Sequence, residues 1–175
     1  TTSGTLSVLA VSQPAHGQVT LGADGQSVVY TPTLNYFGAD SFTYFATNGL
    51  SGDEAIVNLY IDAVNDAPLA QDDAANTLED TSIAVAVLTN DSDVEGEALT
   101  ISALTQPAHG HALLLTQAGA TLIRYTPDRD YNGTDQLAYT VTDEHGAPYS
   151  ASVAITIIPV NDVPVLVDDT AVTDE

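Results

Sequence analysis

Two short stretches of this sequence carry amide and carboxylate side chains at the same spacing. Residues 64–68 read Val-Asn-Asp-Ala-Pro, and residues 160–164 read Val-Asn-Asp-Val-Pro, 96 residues further along the chain. Asparagine and aspartate supply hard oxygen ligands, and the proline that closes each stretch has a fixed φ and cannot donate to a strand ladder. Each stretch therefore predicts a stiff joint at the end of a sheet domain, with the chemistry to bind a hard divalent cation.

Acidic loops are expected to lie next to each joint. If successive strands run down and up the domain that follows Pro68, the loops at 90–97 and 143–146 return to the first joint, and the turns at 79–80 and 128–130 reach the second. The candidate ligands at the first joint are Asn65, Asp66, Asp91, Asp93 and Asp143, with Asp72, Glu95 and Glu97 nearby. The candidate ligands at the second joint are Glu79, Asp128, Asp130, Asn161 and Asp162.

Carboxylates crowded in this way need compensation. At about 4 Å, two of them repel by roughly 4 kcal/mol even at a surface-like dielectric, and a bound dication removes that cost. We expect Ca²⁺, because oxygen donors from several loops suit its flexible shell of about six to eight ligands better than the strict octahedron of Mg²⁺, and the thiols that favour Zn²⁺ are absent. The alternative is that the acids are solvated loop residues that keep a surface protein soluble. We adopt that interpretation for Asp24, Asp53, Glu54 and Glu175.

Two other kinds of site are considered and set aside. His16 and His109 recur in the same Pro-Ala-His-Gly turn, so a repeated structural role is a simpler account than zinc binding or general-base catalysis; His111 and His145 have no partner at ligand spacing. Paired carboxylates could serve a glycosidase. However, tryptophan is absent and the aromatic residues follow strand periods that imply core positions, so we expect no enzyme.

The composition restricts the class of partner. Twenty-four acidic residues stand against two basic ones, which gives a formal net charge of -22. Long-range repulsion therefore opposes binding to nucleic acid or to an anionic membrane and favours cations. The absence of cysteine excludes disulfides, and no apolar run approaches the ~20 residues that span a bilayer, so we expect no direct membrane insertion. Because methionine is also absent, we expect the chain to be cut from a longer protein.

Internal repetition organises the chain that must position these groups. Gln-Pro-Ala-His-Gly at 13–17 returns at 106–110, and Tyr-Thr-Pro at 30–32 returns at 125–127. A third landmark, Tyr-x-Gly-x-Asp, occurs at 36–40 and again at 131–135. Landmarks that recur in the same order at a nearly constant offset predict tandem repeats.

Within one repeat the apolar residues alternate with a period of two. The alternating positions are Ile83, Val85 and Val87; Leu99, Ile101 and Ala103; Leu137, Tyr139 and Val141; and Val153, Ile155 and Ile157. With shorter runs near 111–115 and 121–125 and an entry segment after Pro68, this gives about seven strands per repeat. The sequence therefore predicts an all-β protein of tandem Greek-key β-sandwich repeats of the immunoglobulin/cadherin type.

The predicted boundaries follow from the joints. Residues 67–162 form a complete repeat, and residues 163–175 begin a further one, since Val167-Asp168-Asp169 echoes Gln71-Asp72-Asp73. Residues 1–66 correspond to a repeat that lacks its first strands. Its edges either stay open or are completed by a neighbouring molecule.

The acidic segments carry a family resemblance. Glu79-Asp80-Thr81, residues 87–93 with Gly96, Asp128-Arg129-Asp130 and residues 160–164 resemble, in this order, the calcium-binding signatures of cadherin domains. Together with the three landmarks, the chain is similar to the bacterial cadherin-like and immunoglobulin-like tandem repeats of large secreted RTX-type adhesins.

This resemblance implies an extracellular or bacterial cell-surface extender, in which calcium between neighbouring repeats rigidifies the array for cell adhesion or biofilm formation. It also implies an alternative, a calcium-dependent module that binds a polysaccharide or another cell-surface ligand. The chain departs from the pattern where Thr33 and Asn35 replace Asp128 and Asp130, and where Ile158 replaces Asp62. We therefore expect fewer ions at the first joint and partial occupancy at the second.

Overall fold

The computed structural model describes residues 4–164, and these residues form strands, turns and one short 3₁₀ helix. The predicted all-β sandwich class is confirmed. The chain divides into two compact units, Thr1–Asp66 and Ala67–Glu175, called unit 1 and unit 2 below. Within residues 4–164 no helix is long and apolar enough to cross a membrane. The proposed start of a further repeat at 163–175 lies almost wholly outside the described residues.

The described residues of unit 1, 4–66, form five antiparallel strands. They are β1 (Ser7–Val11), β2 (Gly17–Leu21), β3 (Val28–Pro32), β4 (Gly38–Thr47) and β5 (Gly52–Ile61). One sheet has the order β1-β4-β5, and β2 pairs with β3 in the other.

In unit 2 the described residues, 67–164, form seven strands and the 3₁₀ helix. The strands are β6 (Asp73–Leu78), β7 (Ile83–Val85), β8 (Thr100–Leu104), β9 (Gly110–Gln117), β10 (Ala120–Pro127), β11 (Gly133–Thr142) and β12 (Pro148–Ile158). One sheet has the order β6-β12-β11-β8 and the other β7-β10-β9, which is the arrangement of an immunoglobulin-type sandwich. Strand β6 runs parallel to β12, from the pair Asp73–Val153 to the pair Leu78–Ile158.

One predicted strand of unit 2 ends earlier than expected. Val87 was expected to continue the alternation of Ile83 and Val85, but the strand ends at Val85 and residues Val87–Thr89 form the 3₁₀ helix. Val87 is nevertheless completely buried. A 3₁₀ turn can also direct an apolar side chain into the core, so periodicity alone does not distinguish it from the end of a strand.

The core of unit 2 follows the period of two. Leu137, Tyr139 and Val141 on β11 and Val153 and Ile155 on β12 are each no more than 2% exposed. Alternate residues of one strand face the same side of a sheet, so these side chains meet those of β10 between the two sheets. The apolar periodicity thus predicts which face of each long strand is buried.

The repeated landmarks converge on one buried carboxylate in each unit. In unit 2, Asp135 accepts hydrogen bonds from the amides of Ala108 (3.1 Å), His109 (3.0 Å) and Gln136 (2.9 Å), and from the hydroxyl of Tyr125 (2.9 Å). In unit 1, Asp40 accepts the equivalent bonds from Ala15, His16, Ser41 and Tyr30. Residues far apart in sequence therefore hold the same turn in both units.

The other landmark residues tighten this arrangement. The side chain of Gln106 exchanges two hydrogen bonds with the backbone of Ala112, and the ring of His109 stacks on Tyr131 with 4.1 Å between centroids. A Cβ at Gly110 would lie 2.7 Å from the Tyr125 ring, so only glycine fits there. His16 stacks on Tyr36 in the same way in unit 1, which supports a structural role for this pair of histidines.

Unit 1 buries its apolar residues less completely than unit 2. Among the residues that the structure describes in unit 1, none forms a strand on the outer edge of β5, the position that β6 takes beside β12 in unit 2. Val57 and Leu59 on β5 remain partly exposed, whereas their counterparts Val153 and Ile155 are fully buried. The covering strands, more than the apolar pattern itself, explain the difference between the two cores.

Candidate metal centres

Two ends of unit 2 carry the predicted acidic residues. We call the end that contains the loops 90–99 and 143–147 the proximal end, and the end that contains residues 79–80, 128–132 and 160–162 the distal end. Strand β11 begins at Gly133 near the distal loops and ends at Thr142 near the proximal ones, so the two groups lie at opposite ends of that strand.

Asp91 is fixed at the proximal end by the chain that enters unit 2. Its Oδ1 accepts a 2.9 Å hydrogen bond from the amide of Gln71, and Leu69 and Ser92 form a β-bridge. The buried hydroxyl of Tyr139 lies 3.0 Å from Asp73 Oδ2 and 3.3 Å from Asp91 Oδ2. Burial, together with the nearby charge of Asp91, raises the pKa of Asp73. The structure thus places two carboxylates around one hydroxyl at this end.

Asp93 and Asn90 supply the observation that bears most directly on a cation. Asp93 Oδ1 accepts hydrogen bonds from the amides of Glu95 (2.9 Å) and Glu97 (3.2 Å). In the described part of the chain, the buried atoms Asp93 Oδ2 and Asn90 Oδ1 have no hydrogen-bond partner. A buried polar atom without a partner costs roughly 1–3 kcal/mol, and more for a charged group. Two oxygen acceptors of this kind in one loop fit an oxygen-preferring cation.

Asp143 lies in the turn between β11 and β12, at the same end. It is 5% exposed, and its Oδ1 accepts a 2.8 Å hydrogen bond from the amide of Ala147. Asp143 also groups with Glu97 and His145, and one ligand atom from each residue lies within 4.8 Å of the other two. His145 Nδ1 is 2.9 Å from Glu97 Oε1, and this hydrogen bond raises the pKa of His145.

From the sequence, Glu97 is expected only near the site and His145 has no predicted role as a ligand. The structure brings the two side chains into contact across two loops. Asp143-x-His145 in a tight turn, opposite an acidic loop, was the available signal. It is weak, because sequence spacing does not show that Glu97 faces that turn.

The remaining residues predicted for the first joint lie in unit 1. Asn65 and Asp66 follow the end of β5; Asn65 is exposed and Asp66 is half-buried. Their convergence with Asp91, Asp93 and Asp143 of unit 2 stays a prediction.

The distal end brings together three aspartates. One carboxylate oxygen from each of Asp80, Asp130 and Asp162 lies within 4.8 Å of the other two, and all three residues are exposed. Asp130 and Asp162 were predicted as ligands, whereas Asp80 was recognised only as part of a neighbouring turn. The amide of Asp130 donates a 3.1 Å hydrogen bond to Asp80 Oδ1. Both aspartates have positive φ, 59° for Asp80 and 55° for Asp130.

The other predicted distal residues have different surroundings. Glu79 is 5% exposed, and its two oxygens accept hydrogen bonds from the amide of Val160 and from Asn132 Nδ2. Asp128 accepts a 3.2 Å hydrogen bond from the Tyr131 amide through its backbone carbonyl, and Asn161 Nδ2 donates to the carbonyl of Asp162. Glu79 therefore holds the chain that leaves β12 through Val160.

Unit 1 keeps the distal turn without its charges. The backbone amide of Tyr36 donates a hydrogen bond to the carbonyl of Thr33, and the amide of Tyr131 donates one to the carbonyl of Asp128. Asn35 has a φ of 60°, close to the 55° of Asp130. The backbone of the turn is thus retained where Thr33 and Asn35 replace the two aspartates.

Sequence comparisons place the chain among known proteins. A family model described as a bacterial Ig domain matches residues 1–60 and 65–156. The protein GAMETE EXPRESSED 2 of Arabidopsis thaliana is 35% identical over 91 residues, which cover 52% of this chain and 9% of that protein. The chain therefore spans less than a tenth of the length of this plant relative.

Solved structures give the same architecture. Domains EC1-2 of human protocadherin-24 match with a TM-score of 0.53 and 12% identity, covering 90% of this chain and 83% of theirs. Domains EC1-2 of human mucin-like protocadherin match with a TM-score of 0.52 and 14% identity, covering 91% and 86%. At these identities the likeness establishes the fold alone.

Proposed function

This chain belongs to the bacterial Ig domain family, and from that premise we propose that it is a calcium-binding extender segment of a secreted or cell-surface bacterial adhesin. Bacterial Ig-like domains occur typically in extracellular or surface proteins, and Ig- and cadherin-like domains are typically non-catalytic. In this proposal the chain is not an enzyme. Calcium ions bound at the ends of each sandwich hold neighbouring repeats in a fixed orientation for cell adhesion or biofilm formation.

The observation that carries the proposal is the buried pair of oxygen atoms in the loop 90–99 of the proximal end. Asp93 Oδ2 and Asn90 Oδ1 are withdrawn from water and, within residues 4–164, lack a hydrogen-bond donor. Asp91 and the nine-tenths buried Asp143 add carboxylates at the same end. Carboxylates mixed with an amide oxygen are the ligand set that Ca²⁺ prefers, and the ion would supply the positive charge that this end needs.

The net charge supports a cation in a second way. With 24 acidic and two basic side chains, the protein offers few internal partners for its carboxylates. At the distal end, one carboxylate oxygen from each of Asp80, Asp130 and Asp162 lies within 4.8 Å of the other two, close enough to share one ion. Arg129 lies 3.5 Å from Asp130, but both side chains are largely exposed, so this pair neutralises the group only weakly.

The proposed mechanical role follows from where the ligands lie in the chain. Asn65 and Asp66 end unit 1, and Pro68, the second residue of unit 2, is completely buried. In the proposal, an ion bound by Asn65 and Asp66 together with the proximal loops restricts rotation about this short connection. The same arrangement at Asn161 and Asp162 would join unit 2 to the repeat that follows.

Calcium titration of the chelator-treated chain tests the proposal. Isothermal titration calorimetry should give calcium binding, and calcium at about 100 times its Kd should stabilise the folded chain by about 2.7 kcal/mol per site. Asp93→Asn should weaken the proximal event, whereas Asp53→Asn, on the exposed part of β5, is the matched control. Binding isotherms that are the same for Asp93→Asn and for the unaltered chain would contradict the proposal.

A further inference from the structure

Glu97, Asp143 and His145 form a second ligand group at the proximal end. We propose that this triad binds a borderline transition-metal dication, for which Zn²⁺ is the natural probe. The group shares Asp143 with the proposed calcium ligands and differs from them because it adds an imidazole nitrogen. Calcium coordinates oxygen, whereas imidazole suits zinc and its neighbours in the transition series.

The distances suit one small ion. Zinc binds histidine nitrogen at about 2.0–2.1 Å and carboxylate oxygen at about 2.0–2.2 Å, so ligand atoms on one tetrahedral ion lie roughly 3.3 Å apart. In the structure His145 Nδ1 lies 2.9 Å from Glu97 Oε1 and 3.1 Å from Oε2. Asp143 completes a group whose ligand atoms all lie within 4.8 Å of one another. Small side-chain adjustments therefore bring the three ligands onto one ion.

Two of the three ligands are held in place before any metal binds. Glu97 Oε2 accepts a 3.2 Å hydrogen bond from the amide of Glu144, and Asp143 Oδ1 accepts one from Ala147. The Glu97 side chain is 16% exposed, whereas that of His145 is 64% exposed. Two fixed carboxylates and one accessible imidazole leave an open side for water, as in three-ligand zinc sites.

The adjacent loop, which also carries the calcium proposal, adds negative charge beside the triad. Asp93 Oδ1 accepts a hydrogen bond from the amide of Glu97, so the two acidic residues belong to one turn. The other oxygen of Asp93 is buried and has no partner within the described residues. An uncompensated carboxylate oxygen this close to the triad adds negative potential that favours a bound dication.

Unit 1 lacks this group at the corresponding positions. Strands β1 and β4 pair Ser7 with Thr47, and strands β8 and β11 pair Thr100 with Thr142, which aligns the two proximal ends. By this alignment Gly4, Asn48 and Leu50 stand where unit 2 has Glu97, Asp143 and His145. The triad is thus an addition to unit 2, and unit 1 serves as an internal control.

The test uses zinc chloride with the chelator-treated chain 1–175 in calcium-free buffer. Isothermal titration calorimetry should give a zinc site, and NMR of the four histidine rings should show perturbation of His145 but not of His16, His109 or His111. His145→Ala should raise the Kd for zinc at least ~10-fold, because even second-shell changes cost ~10–100-fold in metal affinity. His111→Ala, which alters an exposed histidine on β9, should leave the Kd unchanged.

Two further measurements keep the result interpretable. Glu97→Gln should also raise the Kd for zinc, and circular dichroism should show that both variants are folded. Zinc binding of unchanged affinity in folded His145→Ala, or zinc shifts on a different histidine, would overturn the proposal. The calcium titration of Asp93→Asn reports on the extender function separately, so either proposal can fail while the other stands.

Discussion

The hydroxyl of Tyr125 donates a 2.9 Å hydrogen bond to Asp135 Oδ2 in the interior of unit 2. Tyr30 and Asp40 form the same bond, also at 2.9 Å, in unit 1. These pairs explain why Tyr-Thr-Pro and Tyr-x-Gly-x-Asp recur together, since one landmark supplies the donor and the other the acceptor. The carboxylate also accepts hydrogen bonds from backbone amides of the Pro-Ala-His-Gly turn, so the three landmarks form one hydrogen-bonded unit.

Asp135→Asn should destabilise unit 2. Asparagine replaces one accepting carboxylate oxygen with an NH2 group, which is itself a donor and faces the amide and hydroxyl donors of this site. Leaving buried donors unpaired costs about 2 kcal/mol. Denaturant unfolding should show an earlier transition for unit 2 in this variant. Asp40→Asn should instead shift the transition of unit 1, and the exposed change Asp53→Asn should remain within ±0.5 kcal/mol of the unaltered chain.

Acid should remove the contribution of Asp135. Burial opposes its ionisation, but the hydrogen bonds from Gln136, Tyr125, His109 and Ala108 outweigh burial and lower the pKa of Asp135 below 3.8. A lowered folded-state pKa gives stability that is present above pH 3.8 and is lost as the pH falls through the folded value. The stability of unit 2 should therefore decline below about pH 4 less steeply in Asp135→Asn than in the unaltered chain. Parallel acid profiles for the two proteins would contradict this assignment.

Alkali should act through Tyr30, the tyrosine of the equivalent pair in unit 1. Burial, reinforced by the hydrogen bond to Asp40, raises the pKa of Tyr30 from 10.0 to about 12. A raised folded-state pKa gives stability that is complete below pH 10 and is lost as the pH rises through 12. Ultraviolet titration of the phenolate groups should show a late component that Tyr30→Phe reduces. An unchanged late component in that variant would show that Tyr30 titrates elsewhere.

The distal group should respond to loss of its charge. In the proposal Asp80 and Asp162 bind calcium together with Asp130, so the double change Asp80→Asn and Asp162→Asn should remove one calorimetric event and retain the proximal one. Stabilisation by calcium at 100 times Kd should fall by about 2.7 kcal/mol for the lost site. The equivalent exposed turn in unit 1 carries Asn35, and Asn35→Asp alone should leave the number of events unchanged.

Calcium should also couple the motions of the two units. If an ion bound near Asn65 and Asp66 restricts the connection, ¹⁵N relaxation should give one correlation time for both units with calcium and two shorter ones after chelation. Asn65→Ala with Asp66→Ala should keep the two correlation times separate in calcium.

A glycan array distinguishes the extender from the carbohydrate-binding alternative. The extender proposal predicts no chelator-sensitive signal on the array, whereas the carbohydrate-binding alternative predicts one.

The sandwich could be predicted because its information is local. Alternation at Leu137, Tyr139 and Val141 identifies a buried face without reference to the rest of the chain, and repeated landmarks set the period. The role of Asp135 could not be predicted in this way, since its donors at Ala108 and His109 lie more than 25 residues away. Val87 does not continue the strand as expected, because a buried residue in a 3₁₀ turn gives the same apolar pattern as a buried residue in a strand.

Most residues of the candidate site could be predicted from the sequence, but not which of them lie close together. Asp130 and Asp162 come from different turns and meet as expected. Asp80 also lies in the group, and no sequence pattern specifies its positive φ. Glu97 and His145 meet across two loops, and loop side chains have no periodicity that would orient them. Side-chain direction in turns is thus the part of the site that required coordinates.

The parallel pairing of β6 with β12 has a consequence for tension. The chain enters unit 2 through β6 and leaves through β12, and the two strands are bonded from Asp73–Val153 to Leu78–Ile158. A pull applied at both termini of this unit therefore slides the two strands lengthwise against each other, so that the bonds between them share the force and must rupture together. A sandwich with parallel terminal strands of this kind resists stretching far better than one whose terminal strands separate one hydrogen bond at a time.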